Sequence, residues 1–195
     1  MEADRLILVT GPSRSGKSEW AETLATRSGR AVIYVATAQV DPTDREWQTR
    51  IERHRQRRSP EWQTLHVPLE LAQTLQVAPA NSCLLIDSLG TWLTNLLNQE
   101  DTVWEETVQG LLESLRQTSS SVILVAEEVG WGLVSTYPVG RKFCDRLGSL
   151  TRQVGAISNS VYLVTAGHAL NLSVLGIPLA EKATGDREYF NNAQI

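Results

Sequence analysis

A doubly wound α/β fold, with a mainly parallel sheet and helices on both faces, is what this sequence of 195 residues predicts. Three observations carry it. Five short Val/Ile/Leu-rich runs, at 6–10, 32–36, 84–87, 122–126 and 161–165, are continuous rather than alternating, as strands are when both sheet faces are covered. Segments of helical spacing separate these runs. The first run leads directly into the loop GPSRSGKS at 11–18, which opens the first helical segment.

Taken in order, residues 6–10 (LILVT) form the first strand, and 17–27 place Trp20, Ala21, Leu24 and Ala25 on one helical face. Residues 32–36 form the second strand, followed by an arginine-rich segment, 43–58, of helical character. The run 84–87 is a strand ending in Asp87, and 89–97 and 102–117 are helices. Ser119, Ser120 and Ser121 make a short linker into the strand 122–126. A helix at 139–157 precedes the strand 161–165, and the chain from Gly167 onward, with Gly176, Pro178 and Gly185, is expected as a strand and a tail. One domain spanning 1–195 is expected from this length.

Composition narrows the function classes. A net charge of −4 argues against a general nucleic-acid binder, which needs an excess of Lys and Arg to neutralise phosphates. No run approaches the roughly 18 apolar residues of a membrane span, and no signal-peptide pattern opens the chain, so a cytoplasmic enzyme is expected. Cys83 and Cys144 are isolated, without metal-ligand spacing, and are expected to be reduced and structural.

The loop Gly11, Pro12, Ser13, Arg14, Ser15, Gly16, Lys17, Ser18 matches G-x-x-x-x-G-K-[ST]. Gly11 and Gly16 are expected to allow backbone angles that turn successive N–H groups around phosphate oxygens. Lys17 reaches the β- and γ-phosphates, and the Ser18 hydroxyl is placed for Mg²⁺. The following helix aims its positive end at the same anion. Asp87, at the end of an apolar strand, is the second metal-binding candidate, since a carboxylate there can hold Mg²⁺ directly or through water. Glu127 and Glu128, at the end of the fourth run, could serve metal or substrate, or cap a helix.

Between 45 and 58, six of fourteen residues are arginine. On a helix, Arg50, His54 and Arg58 fall on one face. Neighbouring guanidinium groups disfavour imidazolium, keeping His54 nucleophilic, and would clamp phosphate oxygens. From the residues alone, a solvated surface histidine remains the commoner reading. His66 and His168 have less local support. Trp92, Trp131 and Tyr137 are candidates either for the core or for ligand contact, with Trp92 favoured as core.

GPSRSGKS, YVATAQ at 34–39, RIERHRQRR at 50–58, LIDSLGTWLTNLL at 85–97, EEVGWGLV at 127–134 and RKFCDRLGSLTRQV at 141–154 follow one another in family order. Over nearly its whole length the chain resembles the bifunctional adenosylcobinamide kinase and adenosylcobinamide-phosphate guanylyltransferase family of cobalamin biosynthesis. The resemblance implies a P-loop NTPase-like (RecA-like) fold and two reactions, with GTP and ATP as nucleotide substrates and Mg²⁺ as cofactor. The first phosphorylates the aminopropanol hydroxyl of adenosylcobinamide. The second passes GMP from GTP to adenosylcobinamide phosphate through a covalent GMP–histidine intermediate.

Under that resemblance His54 is the nucleophile, and Thr37, Ala38, Gln39 and Arg58 join the phosphate loop and Asp87 as nucleotide-binding positions. It also implies a homo-oligomer, expected as a trimer, with no nucleic-acid partner. The chain departs from some relatives in carrying Arg53 before the nucleophile position, Pro60 one residue later than usual, and Asp87 where others have Glu. None of these removes a residue the chemistry requires. A single-activity P-loop kinase for another small molecule, with a structural His54, and a RecA-like regulatory NTPase are the competing readings.

Overall fold

A computed structural model describes residues 5–39, 43, 49, 52, 55–132 and 134–179. Among them one sheet is built from β1 (Leu6–Gly11), β2 (Ala31–Ala36), β3 (Gln63–His66), β4 (Ser82–Asp87), β5 (Ser121–Glu127), β6 (Ser160–Thr165) and β7 (His168–Asn171). The strand order is β3-β2-β4-β5-β1-β6-β7, parallel throughout except for β7, which returns antiparallel to β6. Helices α1 (Lys17–Arg27), α2 (Leu71–Gln76), α3 (Leu89–Leu96), α4 (Asp101–Gln117), α5 (Pro138–Ile157) and α6 (Leu172–Leu175) connect them. The five predicted runs are all strands. Of the predicted helix 43–58, Thr49, Glu52 and residues 55–57 are described and helical, while most of the rest, His54 included, lies outside the described residues.

Strand side chains alternate between two cores, as the pleat requires. On one face Val9, Tyr34, Leu85, Ile123 and Val125 pack against Ala21 and Ala25 of α1. On the other, Leu8, Val35, Leu84, Ile86 and Leu124 meet Leu71 and Leu75 of α2, Trp92 and Leu93 of α3, Leu111 and Leu115 of α4, and Leu147 and Leu150 of α5. Trp92 is core, as expected: it is buried, donates Nε1–H to Leu69 O at 2.8 Å, and packs against Trp104 with ring centroids 5.8 Å apart. Cys83 in β4 and Cys144 in α5 are free thiols.

β3, α2 and the four-residue α6 had no signature in the sequence. β3 (QTLH) is a largely exposed edge strand without an apolar run, and α2 is too short for periodicity to register. β7 pairs with β6 through a tight turn at Ala166 and Gly167, both with positive φ.

Arg146 of α5 anchors the start of α4. It is 6% exposed and donates to Leu97 O (3.2 Å), Gln99 O (2.8 Å) and Asp101 Oδ1 (2.7 Å), with its guanidinium 5.2 Å from the centre of the Trp104 ring. Removing it takes the donor from the Leu97 carbonyl, leaves Gln99 O to Lys142 Nζ at 3.1 Å alone, and loses packing, so Arg146→Ala should cost about 2 kcal/mol of unfolding free energy at neutral pH. The hydrogen bond from Arg146 also holds the Asp101 carboxyl below its usual value of 3.8. A depressed carboxyl stabilises the fold above its unfolded pKa and ceases to do so as pH falls through the folded one. The gap between variant and wild type should therefore narrow below about pH 4, which urea titrations across pH would measure.

Candidate active site

The site lies along the carboxyl edge of the sheet. After β1 the chain passes over β5 and β4 before forming β2, which opens the crevice where α/β proteins bind ligands. The loop at 11–18 hangs over this crevice. Ser15 N–H donates to Pro12 O at 3.3 Å, and Gly16, at φ 94°, is the left-handed residue from which α1 starts. Gly11 requires glycine for space more than for angle, because a Cβ there would overlap Val164 O and Ser15 Oγ. Lys17 and Ser18 are the first two residues of α1. Lys17 is 7% exposed, with Nζ 3.5 Å from Pro12 O. Ser15 Oγ is buried without a hydrogen-bond partner among the described residues. A buried ammonium beside an orphan hydroxyl, at a helix N-terminus, is what an anion-binding cradle contains.

Asp87 ends β4 and accepts a hydrogen bond from Tyr34 Oη at 3.1 Å. Tyr34 is buried, and burial pushes its hydroxyl strongly upward, so it stays a phenol and a donor. The Arg58 guanidinium lies 3.4 Å from the centre of the Tyr34 ring, a cation–π contact that brings this predicted nucleotide contact beside Asp87. Arg57 pairs with Glu19 (3.0 Å) and Glu22 (3.3 Å) of α1, tying the end of the arginine-rich segment to the phosphate-loop helix. Burial raises the Glu22 carboxyl despite the opposing Arg57 charge.

Thr37 is fully buried, and its side chain serves the scaffold: Oγ1 donates to Ser88 O at 2.8 Å and accepts from Ser88 N at 2.9 Å. Asn95 Nδ2 donates to Thr37 O at 2.8 Å and to Pro68 O at 2.9 Å. Beyond it Ala38 is half-buried and Gln39 exposed, at the end of β2 facing the same edge. Ser88 caps α3, its Oγ accepting from Thr91 N at 3.2 Å. The two glutamates ending β5 have separate partners. Glu127 accepts from Ser88 Oγ at 2.6 Å and from Gly90 N at 3.0 Å. Glu128 accepts from Thr10 Oγ1 at 2.6 Å, and its N–H donates to Gly11 O at 3.0 Å. Burial raises the Glu127 carboxyl, opposed by the Ser88 hydrogen bond and the Lys17 charge.

Next to this cluster is a cleft of about 910 Å³ whose walls include Ala36, Arg55, Arg58, Trp62, Thr64 and His66. Its size suits a nucleotide-sized ligand. Arg58 belongs both to the cleft and to the Tyr34–Asp87 cluster, so the two form one continuous surface. His66, which has little local support in the sequence, reaches the cleft because it ends the edge strand β3. Ser88 belongs to the segment LIDSLGTWLTNLL, but its bond to Glu127 spans 39 residues of sequence. Trp131 and Tyr137 are exposed.

Hard oxygen donors at Ser18 and Asp87 suit Mg²⁺. Among the described residues no cluster of three or more His, Cys, Asp or Glu could hold a metal by itself.

Phosphate loop, acidic strand end and strand order together define a P-loop nucleoside triphosphate-binding protein of RecA-like architecture. A family model described as "Cobinamide kinase / cobinamide phosphate guanyltransferase" matches residues 7–172. The chain is 42% identical over 174 residues to the "Bifunctional adenosylcobalamin biosynthesis protein CobP" of Pseudomonas aeruginosa, covering 88% of this chain and 98% of the relative. It is 34% identical over 177 residues to the "Bifunctional adenosylcobalamin biosynthesis protein CobU" of Escherichia coli, covering 83% and 96%. The chain belongs to the cobinamide kinase / cobinamide phosphate guanyltransferase family. A solved ATPase of a bacterial type III secretion system is similar in fold alone: TM-score 0.52, 11% identity, 89% of this chain and 59% of that one. No helix among the described residues is long and apolar enough to cross a membrane.

Proposed function

We propose that this chain, acting as one domain in the cytoplasm, phosphorylates adenosylcobinamide on its aminopropanol hydroxyl and then transfers GMP from GTP to the phosphorylated product. The observation that carries this reading is the continuity, through Arg58, of the Tyr34–Asp87 cluster at the acidic strand end with an arginine-lined cleft, on the sheet edge that also carries the phosphate loop. Two successive group transfers from nucleotides need such a surface. In the kinase step, Lys17 and the loop N–H groups hold the β- and γ-phosphates while the corrinoid hydroxyl attacks the γ-phosphorus in line and gives its proton to water; the bond from that phosphorus to the β–γ bridging oxygen breaks and the nucleoside diphosphate leaves. Mg²⁺, held by Ser18 and Asp87, would offset charge on the phosphate oxygens.

In the second step an unprotonated ring nitrogen of His54 attacks the α-phosphorus of GTP, the bond to the bridging oxygen breaks, and pyrophosphate leaves. A phosphate oxygen of adenosylcobinamide phosphate then attacks the same phosphorus and displaces the imidazole, giving adenosylcobinamide-GDP. Imidazole suits this step because it is both a nucleophile and a leaving group. Glu52 and Arg55, which flank His54 in sequence, line the cleft, which supports this assignment. Ala38, Gln39 and Arg58 are assigned to nucleotide binding, with the buried Thr37 supporting them from behind through Ser88, and ATP or GTP to the kinase step. Exposed apolar residues Leu170, Val174, Leu175 and Ile177 at the β7 end of the sheet support a homo-oligomer, read as a trimer. The test is product analysis by mass spectrometry. With adenosylcobinamide, Mg²⁺ and GTP, both the phosphate and the GDP derivative should form. Phosphate alone would reduce the chain to a kinase.

A further inference from the structure

β5 is inserted between the phosphate-loop strand β1 and the acidic strand β4, so the residue at its carboxyl end adjoins both halves of the nucleotide site. Glu127 stands there. Its main chain is in register with Gly11, while its carboxylate turns the other way, to Ser88 Oγ and Gly90 N at the root of α3. α3 is shaped to admit it: a Cβ at Gly90 would overlap the Glu127 carboxylate. Ser88 is itself immobilised, since Thr37 Oγ1 binds both its N–H and its C=O. The charges that face Glu127 are Lys17 of α1 and Asp87 of β4. The Glu127 side chain grips the residue after Asp87, and the N–H of the next residue, Glu128, donates to Gly11 O at 3.0 Å, so this end of β5 sets the spacing between them.

We propose that Glu127 is a positioning residue for phosphoryl transfer, fixing the Asp87 end of β4 relative to Lys17 and the phosphate loop through its bonds to Ser88 and Gly90. This rests on the kinase reading above. Glu127 acts through the scaffold, without touching the reacting atoms. A displacement of about 1 Å between groups that must act on one phosphate costs on the order of 100-fold in rate.

The experiment compares Glu127→Ala, Glu127→Gln, Ser88→Ala and the Glu127→Ala/Ser88→Ala double variant for γ-phosphate transfer to adenosylcobinamide, with nucleotide binding titrated separately. Glu127→Ala should lower kcat by about 10- to 100-fold with nucleotide binding retained. Glu127→Gln can accept from Gly90 N with its carbonyl and donate to Ser88 Oγ with its amide, so it should recover most of the rate. The double variant should be no slower than the slower single one, because both substitutions cut the same link. A wild-type kcat in Glu127→Ala, a Glu127→Gln as slow as the alanine variant, or a multiplicative double variant would each overturn the proposal. If Glu127→Ala does not fold, Ser88→Ala and Glu127→Gln carry the same test: a slow serine variant with a near-normal glutamine variant supports it, and any other pairing overturns it. Wild-type transfer, measured alongside, reports on the kinase reading itself. Without it both ideas fall, whereas the ratio of variant to wild type reports on Glu127 alone.

Discussion

His54→Ala is expected to remove GMP transfer, by on the order of 10⁴-fold or more, while much of the kinase activity survives. The two reactions need different attacking groups. The corrinoid supplies its own hydroxyl for the first, so an imidazole is dispensable there. The second is split into two displacements and has no first displacement without the nitrogen. Adenosylcobinamide phosphate should therefore accumulate in the variant and the GDP derivative should be missing. Equal loss of both products in a folded His54→Ala protein would contradict the nucleophile assignment and favour a general structural role for the arginine-rich segment.

Lys17→Ala should impair both reactions, each by roughly 100- to 1,000-fold, since both depend on anchored β- and γ-phosphates: in one the γ-phosphate is transferred, in the other the pair leaves as pyrophosphate. Lys17 is 7% exposed and lies within the fold's interior edge, where an ammonium carries a desolvation cost. The alanine variant should consequently be no less stable than wild type, which separates a loss of phosphate anchoring from a loss of fold. Thermal unfolding measured beside the two activities makes the distinction. Normal guanylyl transfer in this variant would mean that the second reaction uses a nucleotide site other than the loop.

The parallel core was legible because each of its strands is a continuous apolar run, and helical spacing found α1, α3, α4 and α5 within a residue or so of their ends. β3 and α2 escaped because an exposed edge strand and a six-residue helix carry too few apolar residues to show a period. The site divides the same way. The phosphate loop is local, eight consecutive residues between a strand and a helix, and so can be read directly. Asp87 could be proposed because an acidic residue ends an apolar strand. The Tyr34–Asp87, Arg58–Tyr34, Thr37–Ser88 and Glu127–Ser88 contacts join residues 24 to 53 positions apart, and nothing in the residues themselves announces such partners. His66 entered the cleft only with β3. His54 is a different case: its role rests on the R-I-x-x-H-R pattern and its family, since that residue lies outside the described ones.

Guanylyl transfer by the proposed route requires a nucleotide attached to His54. Incubating the purified protein with Mg²⁺ and GTP labelled at the α-phosphate, then denaturing it, should leave label on the polypeptide that survives alkali and is released by acid, as a phosphoramidate is, and His54→Ala should carry none. An unlabelled polypeptide with GTP binding confirmed, or equal labelling of the alanine variant, would contradict the covalent GMP–His54 step.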